Sequence, residues 1–240
     1  MAWLILFLVA VVTLIVAGSR RMRIPREPQR EGPEDARVVK GYDRLCGWPI
    51  MKAERYLALR ALRKLHPMGK LIDIGCGPGY LVNRLSRMFP DLQIIGIDIN
   101  QDMLHQAVSN FPSIGNVQFR EGDAQALPFP DEEVDVIVST GAFHHWDNGP
   151  RALREFHRVL KPGGQFLILD LRRDARWLFY WLVKMAQVFM PADIKRVNGA
   201  VGSVWSSYTV GEMGKLLKES PFSVWRLKPA LGWMFIYGTK

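Results

Sequence analysis

The chain has 240 residues, 48% of them hydrophobic and 23% charged, which is enough for one domain with a full core once a terminal tail is set aside. Two cysteines, Cys46 and Cys76, are too few for a disulfide framework and imply nothing about an oxidising compartment. The formal net charge of +9 is crowded early, in Arg20, Arg21, Arg23, Arg26 and Arg30, which suits a membrane surface better than a nucleic acid, and no nucleic-acid partner is expected.

Ala2 to Gly18 carries no charge and is almost wholly apolar. As a helix it would reach about 25 Å, slightly less than a bilayer core of about 30 Å. Trp3 at one end and Arg20-Arg21 at the other are suitable interface anchors. The segment is therefore expected to be a transmembrane helix. The charge that follows it puts the rest of a single-pass membrane protein on the cytoplasmic side. A cleaved signal peptide is the rival reading, supported by Ala17-Gly18-Ser19 but not by the uncharged front. Residues 1–19 are thus an expected membrane anchor. Residues 20–40, with Pro25, Pro28, Gly32 and Pro33 among charges, are an expected basic linker. Residues 41–240 are left as the folded domain.

Trp48 to Leu65 predicts an amphipathic helix with Tyr56, Leu57, Leu59, Leu62 and Leu65 on its apolar face. Tyr42 and Trp48, just before it, either roof a ligand or simply pack. Leu71 to Ile74 predicts a buried strand. Three glycines follow at Gly75, Gly77 and Gly79, and then a helix begins. Glycines admit a ligand close to the backbone, and the helix start offers free N–H groups. A glycine-rich turn alone also suits nicotinamide and flavin enzymes. Here Asp73 precedes the first glycine and the spacing is G-x-G-x-G. This Asp-x-Gly-x-Gly-x-Gly run resembles the cofactor loop of class I S-adenosylmethionine-dependent methyltransferases.

The remaining elements alternate. Leu92 to Ile97 predicts a strand ending at Asp98, Asn100 to Ser109 a helix, Val117 to Phe119 a strand, and Val134 to Val138 another. Arg151 to Leu160 reads as a helix, and Lys161-Pro-Gly-Gly164 turns into the strand Gln165 to Leu169. Thr209 to Leu217 has the cap and pattern of a late helix, with Glu212 placed for a capping box. Trp225 to Leu227 and Trp233 to Tyr237 predict a closing hairpin. The pattern implies an α/β fold, a doubly wound and mostly parallel sheet. The resemblance makes it a seven-stranded Rossmann-like methyltransferase sheet with an antiparallel C-terminal hairpin, to which the N-terminal transmembrane helix is added. Ligands in such sheets sit at the carboxyl ends of the strands, where Asp73, Asp98 and Asp123 fall.

Asp98 lies 98 − 73 = 25 residues after Asp73, and an acidic residue at the end of the second strand can accept both ribose hydroxyls. By resemblance, Asp73 helps hold the methionine part of the cofactor and Asp123 reads the adenine amino group. Otherwise Asp98 is a solvated strand end and Asp123 a turn residue. Gly122 to Val138 and Arg158-Val-Leu-Lys-Pro-Gly-Gly164 look like small-molecule methyltransferases related to the ubiquinone and menaquinone biosynthesis enzymes. The resemblance implies S-adenosyl-L-methionine as cofactor. It implies a binding set of Asp73, Gly75, Cys76, Gly77, Gly79, Asp98, Ile99, Asp123, Ala124 and Ser139. It covers about Lys70 to Leu171 and fades outside, where such families recognise substrate.

His144 and His145 follow the fourth strand and should face the transferred methyl group. Either is a candidate base, with His144 ahead, or both line the pocket. No metal site is expected. Arg176 to Met190 is apolar nearly all round. It is read as core, as the wall of a lipophilic pocket or as a bilayer-interface helix, with Arg172, Arg173 and Arg176 favouring the last two. The leading expectation is a membrane-anchored methyltransferase acting on a lipophilic small molecule: a quinone precursor, a lipid or an apolar thiol. The alternative is a non-enzymatic membrane-bound assembly factor that keeps the cofactor fold. Intact Asp73, Asp98 and glycines count against it.

Overall fold

The computed structural model describes residues 21–28, 36–112, 115–196 and 199–240. Two helices open the domain, α1 (Ala36–Cys46) and α2 (Pro49–Leu62), the second running into a 3-10 turn at Arg63–Leu65. The alternating part follows as β1 (Lys70–Ile74), α3 (Tyr80–Met88), β2 (Gln93–Asp98), α4 (Gln101–Asn110), β3 (Val117–Glu121), β4 (Val134–Thr140), α5 (Gly149–Val159) and β5 (Leu160–Leu171). Four helices then lead to the hairpin: α6 (Trp177–Val188), α7 (Ala192–Arg196), α8 (Gly199–Ser206) and α9 (Val210–Glu219), with strands β6 (Val224–Pro229) and β7 (Trp233–Thr239).

The seven strands form one sheet in the order β3-β2-β1-β4-β5-β7-β6. The first five are parallel, and β7 runs antiparallel to both β5 and β6. The expected α/β sheet and closing hairpin are therefore present. The strand order reverses between β1 and β4, which opens a crevice at their carboxyl ends. Alternating side chains supply two cores. Ile72, Ile95, Ile137, Ile168 and Ile236 bury on one face with α5 and α9, and Leu71, Ile94, Val136, Leu167 and Leu169 on the other with α2 and α3.

Local chemistry sets the helix ends. Asn100 accepts from the N–H groups of Asp102 and Met103, and Asn148 from that of Arg151. Thr209 and Glu212 close the expected capping box, with Glu212 N–H to Thr209 Oγ1 at 3.1 Å and Thr209 N–H to Glu212 Oε2 at 2.8 Å.

Helix α2 buries most of the predicted stripe, with Leu59 and Leu62 in the core and Leu57 and Leu65 packed against it, but not Tyr56. Tyr56 is 61% exposed, while Glu54, Ala58, Leu59, Ala61 and Leu62 are buried. These positions recur at helical spacing, so the buried stripe begins on a carboxylate.

The expected N-terminal transmembrane helix is corrected here. Residues 1–19 lie outside the described residues, and among the described residues no helix is long and apolar enough to cross a membrane. Helix α6, with its 12 residues, rises only about 18 Å against a core of about 30 Å. The single-pass placement with a catalytic domain on the cytoplasmic side falls with that helix. Arg172 and Arg173 do not flank α6 as surface charges either, because both are buried. Phe179 is its one buried residue, Val183 is partly buried against the same core, and Trp177, Leu178, Trp181, Leu182, Met185 and Val188 are exposed.

Part of the expected linker is docked. The Met22 N–H donates to Ala175 O at 3.1 Å and the Glu27 N–H to Trp205 O at 3.1 Å. Arg26 donates to Ser206 O and lies 4.0 Å from the Tyr208 ring centroid. Arg173 clamps the segment: its guanidinium donates to Ile24 O, Ser207 O and Glu212 Oε1. Arg173→Ala removes three donors from a buried site and leaves two carbonyls and a carboxylate without that partner. A loss of about 3 kcal/mol is expected, read as a lower denaturant midpoint at unchanged slope. A loss under about 0.5 kcal/mol would show the clamp to be incidental.

Candidate active site

The glycine loop joins β1 to α3 at the point where strand order reverses. Gly75, Gly77 and Gly79 have φ of 74°, 51° and 81°, the left-handed region that glycine enters without strain. The loop is tied to β2: the N–H groups of Gly75 and Cys76 donate to Ile97 O at 2.8 and 2.9 Å. A Cβ on Gly75 would lie 2.4 Å from the Ala142 Cβ, so the loop and the segment after β4 touch here. A Cβ on Gly77 would meet the Tyr42 ring edge at 3.6 Å, which puts Tyr42 of α1 over the loop. Trp48 instead packs beside Val38, Leu45, Met190 and Ile194. Asn110 holds α1 to the loop, donating to Asp43 Oδ1 at 2.7 Å and to Pro78 O at 3.1 Å.

Asp98 ends β2 and accepts from the Gly77 N–H at 2.8 Å and the Asn100 N–H at 3.0 Å. Burial pushes its carboxyl up, and these amides pull it back. Asp73 is 1% exposed, and neither of its oxygens has a hydrogen-bond partner among the described residues. Burial, then the nearby Asp98, push its carboxyl up to about 8. An unpaired buried carboxylate beside a glycine cradle fits a cationic ligand lying close to backbone, as the ammonium and sulfonium of S-adenosylmethionine require.

The other expected cofactor residues are spread around this crevice. Ile99, after Asp98, is exposed at its rim, and Ala124 is buried in the core. Asp123 Oδ1 accepts from the Gln125 N–H at 2.8 Å, so part of the carboxylate closes a turn. Cys76 is buried, with a thiol raised well above its usual range chiefly by burial. The Ser139 hydroxyl is spent on Ile74 O at 2.8 Å, linking β4 to the end of β1. Among the described residues no group of three or more His, Cys, Asp or Glu is arranged to hold a metal ion.

The raised Asp73 makes a pH prediction. Its folded value of about 8 lies above its unfolded value near 4, so ionising it costs stability as pH rises from about 4 through 8. A cation bound beside it favours the ionised form. Cofactor binding at pH 7 should therefore release a proton from wild type and not from Asp73→Asn, read by calorimetry in buffers of different ionisation enthalpy. Equal proton release from both would show that Asp73 does not pair with the ligand.

Three elements meet beside the glycine loop. The segment after β4 makes a short 3-10 turn at Phe143–His145. His144 is 2% exposed, and its Nδ1 lies 2.6 Å from Oδ1 of Asp170, near the end of β5. That same oxygen also accepts the Leu171 N–H at 2.8 Å. The His144 Nε2 is buried and has no hydrogen-bond partner among the described residues. The His145 ring lies 4.0 Å from that of His144. Above the loop, a Cβ on Gly141 would lie 3.5 Å from Glu54 Oε1 of α2. Burial, then the Asp170 carboxylate, push Glu54 up to about 7, while the Trp233 indole N–H and Arg55 draw it back. Phe143 meets Trp146 at 5.0 Å and Tyr208 at 5.6 Å between ring centroids, and all three are buried in the core on that face of the sheet.

Asp170 and Glu54 were missed in the sequence. Asp170 breaks the apolar run Phe166 to Leu171 near a strand end, as Asp73 does in β1, and that was a usable signal. Glu54 sits at helical spacing from Ala58, Ala61 and Leu62, which flagged it only once the stripe was known.

Residues 72–168 match the family model described as a methyltransferase domain. Several curated proteins are similar over this part. The uncharacterized methyltransferase YcgJ of Bacillus subtilis (strain 168) is 38% identical over 103 residues, 42% of this chain and 40% of its own length. The ubiquinone/menaquinone biosynthesis C-methyltransferase UbiE of Enterobacter sp. (strain 638) is 36% identical over 107 residues, 43% of each chain. This chain thus spans less than half the length of these relatives. A methyltransferase structure from Aquifex aeolicus, 21% identical, covers 86% of this chain and 99% of its own with a TM-score of 0.64, and shares the fold. The matched region is thus similar to class I S-adenosylmethionine-dependent methyltransferases, whose cofactor is S-adenosyl-L-methionine. Within that class it is similar to the ubiquinone/menaquinone biosynthesis enzymes.

Proposed function

We propose that this protein transfers a methyl group from S-adenosylmethionine to a lipophilic small molecule, with a quinone precursor, a lipid and an apolar thiol as candidate acceptors. The observation that carries the reading is the buried His144–Asp170 pair, on the segment after β4, which pairs with β1, and near the end of β5 beside it. Asp73, Asp98 and the glycine backbone would hold the cofactor, which when bound supplies an electrophilic methyl on a sulfonium. The chain aligns the acceptor for in-line displacement and excludes water. Asp170 accepts from His144 Nδ1–H and so fixes the tautomer that leaves a lone pair on Nε2. His144 would take the acceptor's proton at Nε2.

The apolar outer face of α6 supports a lipophilic acceptor. The relative named for ubiquinone/menaquinone biosynthesis supports a quinone-type one. The test is turnover of methyl-labelled cofactor by the full chain against a lipid extract and against water-soluble amines and acids. Label appearing in the organic phase, and less of it with His144→Ala, is the expected result. Label moving only to water-soluble acceptors would overturn the lipophilic assignment.

A further inference from the structure

A second cleft lies away from the glycine loop, and none of its lining residues belongs to the candidate active site. It has a volume of about 410 Å³ and runs between α2 with its 3-10 extension and the β6–β7 hairpin. That is within the size range of small-molecule sites. Its floor is Phe235 and Tyr237 of β7, whose rings lie 6.5 Å apart and 11° from parallel. Leu57, Ala61 and Leu65 form the facing wall. Four cations complete it: Arg60 and Lys64 from the helix side, Arg226 and Lys228 from β6. Register places Arg226 opposite Tyr237 and Lys228 opposite Phe235, so each strand cation flanks one aromatic ring.

No carboxylate lines the cleft. None of the four cations makes a hydrogen bond or ion pair among the described residues. Some other cations of the domain are paired. Lys70, Arg158, Lys161 and Lys240 meet Glu133, Asp131, Asp135 and Glu132. Four like charges brought together repel one another, and an anion between them relieves that repulsion. The apolar wall and ring pair call for more than a bare anion, since they offer surface that only an apolar body can cover.

We propose that this cleft binds a single organic anion with an apolar body. Its carboxylate or phosphate sits among Arg60, Lys64, Arg226 and Lys228, and its body lies on Phe235 and Tyr237. The inference does not depend on which acceptor is methylated.

Calorimetry on the full chain tests it with three probes: monomeric dodecyl phosphate, dodecyltrimethylammonium with the same tail, and inorganic phosphate. Dodecyl phosphate should bind at least tenfold tighter than either of the others. The double variant Arg226→Gln/Lys228→Gln should weaken it at least tenfold and leave S-adenosylmethionine affinity unchanged. Lys218→Gln, an exposed cation on α9, should leave both affinities unchanged. Equal binding of the cationic amphiphile would overturn the proposal, because contact with an apolar surface such as α6 would then suffice. Undiminished binding by the double variant would overturn it by placing the ligand elsewhere. Tighter binding of a single-stranded oligonucleotide, lost in the same double variant, would replace the small ligand with a nucleic acid.

Discussion

Asp170→Asn is expected to lower kcat by about 10²–10⁴-fold while leaving S-adenosylmethionine affinity within about twofold. The carboxamide keeps the shape of the side chain. However, it can present its NH₂ to His144 Nδ1 and so favour the tautomer with the proton on Nε2, where the lone pair is needed. His144→Ala should produce a loss of similar size, and the double variant little more, because the two residues act as one unit. The acidic limb of the pH–rate profile should vanish in His144→Ala. Stopped turnover with intact cofactor binding, measured by calorimetry, is the signature sought. Matched losses of binding and rate would instead make the pair a wall of the cofactor pocket.

Gly75→Val should weaken cofactor binding by about 100-fold or more. Two effects combine. The φ of 74° strains a β-branched residue by about 1–3 kcal/mol, and its Cβ would lie 2.4 Å from the Cβ of Ala142. Relief must come from moving the glycine loop or the segment that carries Phe143 to His145, and both shape the site. Gly163→Val is the control, with φ of 77° and no atom within 4 Å of the added Cβ. It should lower the melting temperature and leave cofactor affinity unchanged. Equal affinity in wild type and Gly75→Val, with both folded by circular dichroism, would remove the loop from the cofactor site.

The glycine loop and the carboxylates beside it were legible because they are local in sequence. A strand that ends in a carboxylate, three glycines at alternate positions and a helix start specify a phosphate- or ribose-sized cradle within ten residues, and Asp98 follows at the end of the next strand. Alternation of short apolar strands with helical stripes likewise determined the parallel sheet, and the turn chemistry of Thr209 and Glu212 determined a helix end. These features depend on backbone preferences and on periodicity, which the chain carries in neighbouring residues.

Tertiary structure decided what depends on distant segments meeting. Asp170 becomes a partner of His144 only because β5 pairs with β4 in a register that brings both to one end of the sheet. Glu54 comes to lie by Gly141 because the buried stripe of α2, which keeps Leu59 and Leu62, extends back through Ala58 to a carboxylate and leaves Tyr56 exposed. Arg172 and Arg173, which read as surface charges, are buried because Asp174, Glu212 and main-chain carbonyls from the docked strap and helix ends converge on them. The apolar run of α6 stays largely outside the core, since the sheet offers it only Trp233 and the surface around Phe179. The side chains in the sequence determined which groups are present. The pairing of strands and the rotation of helices decided which of them lose water, and the loss of water is what turns a carboxylate or an imidazole into part of a site.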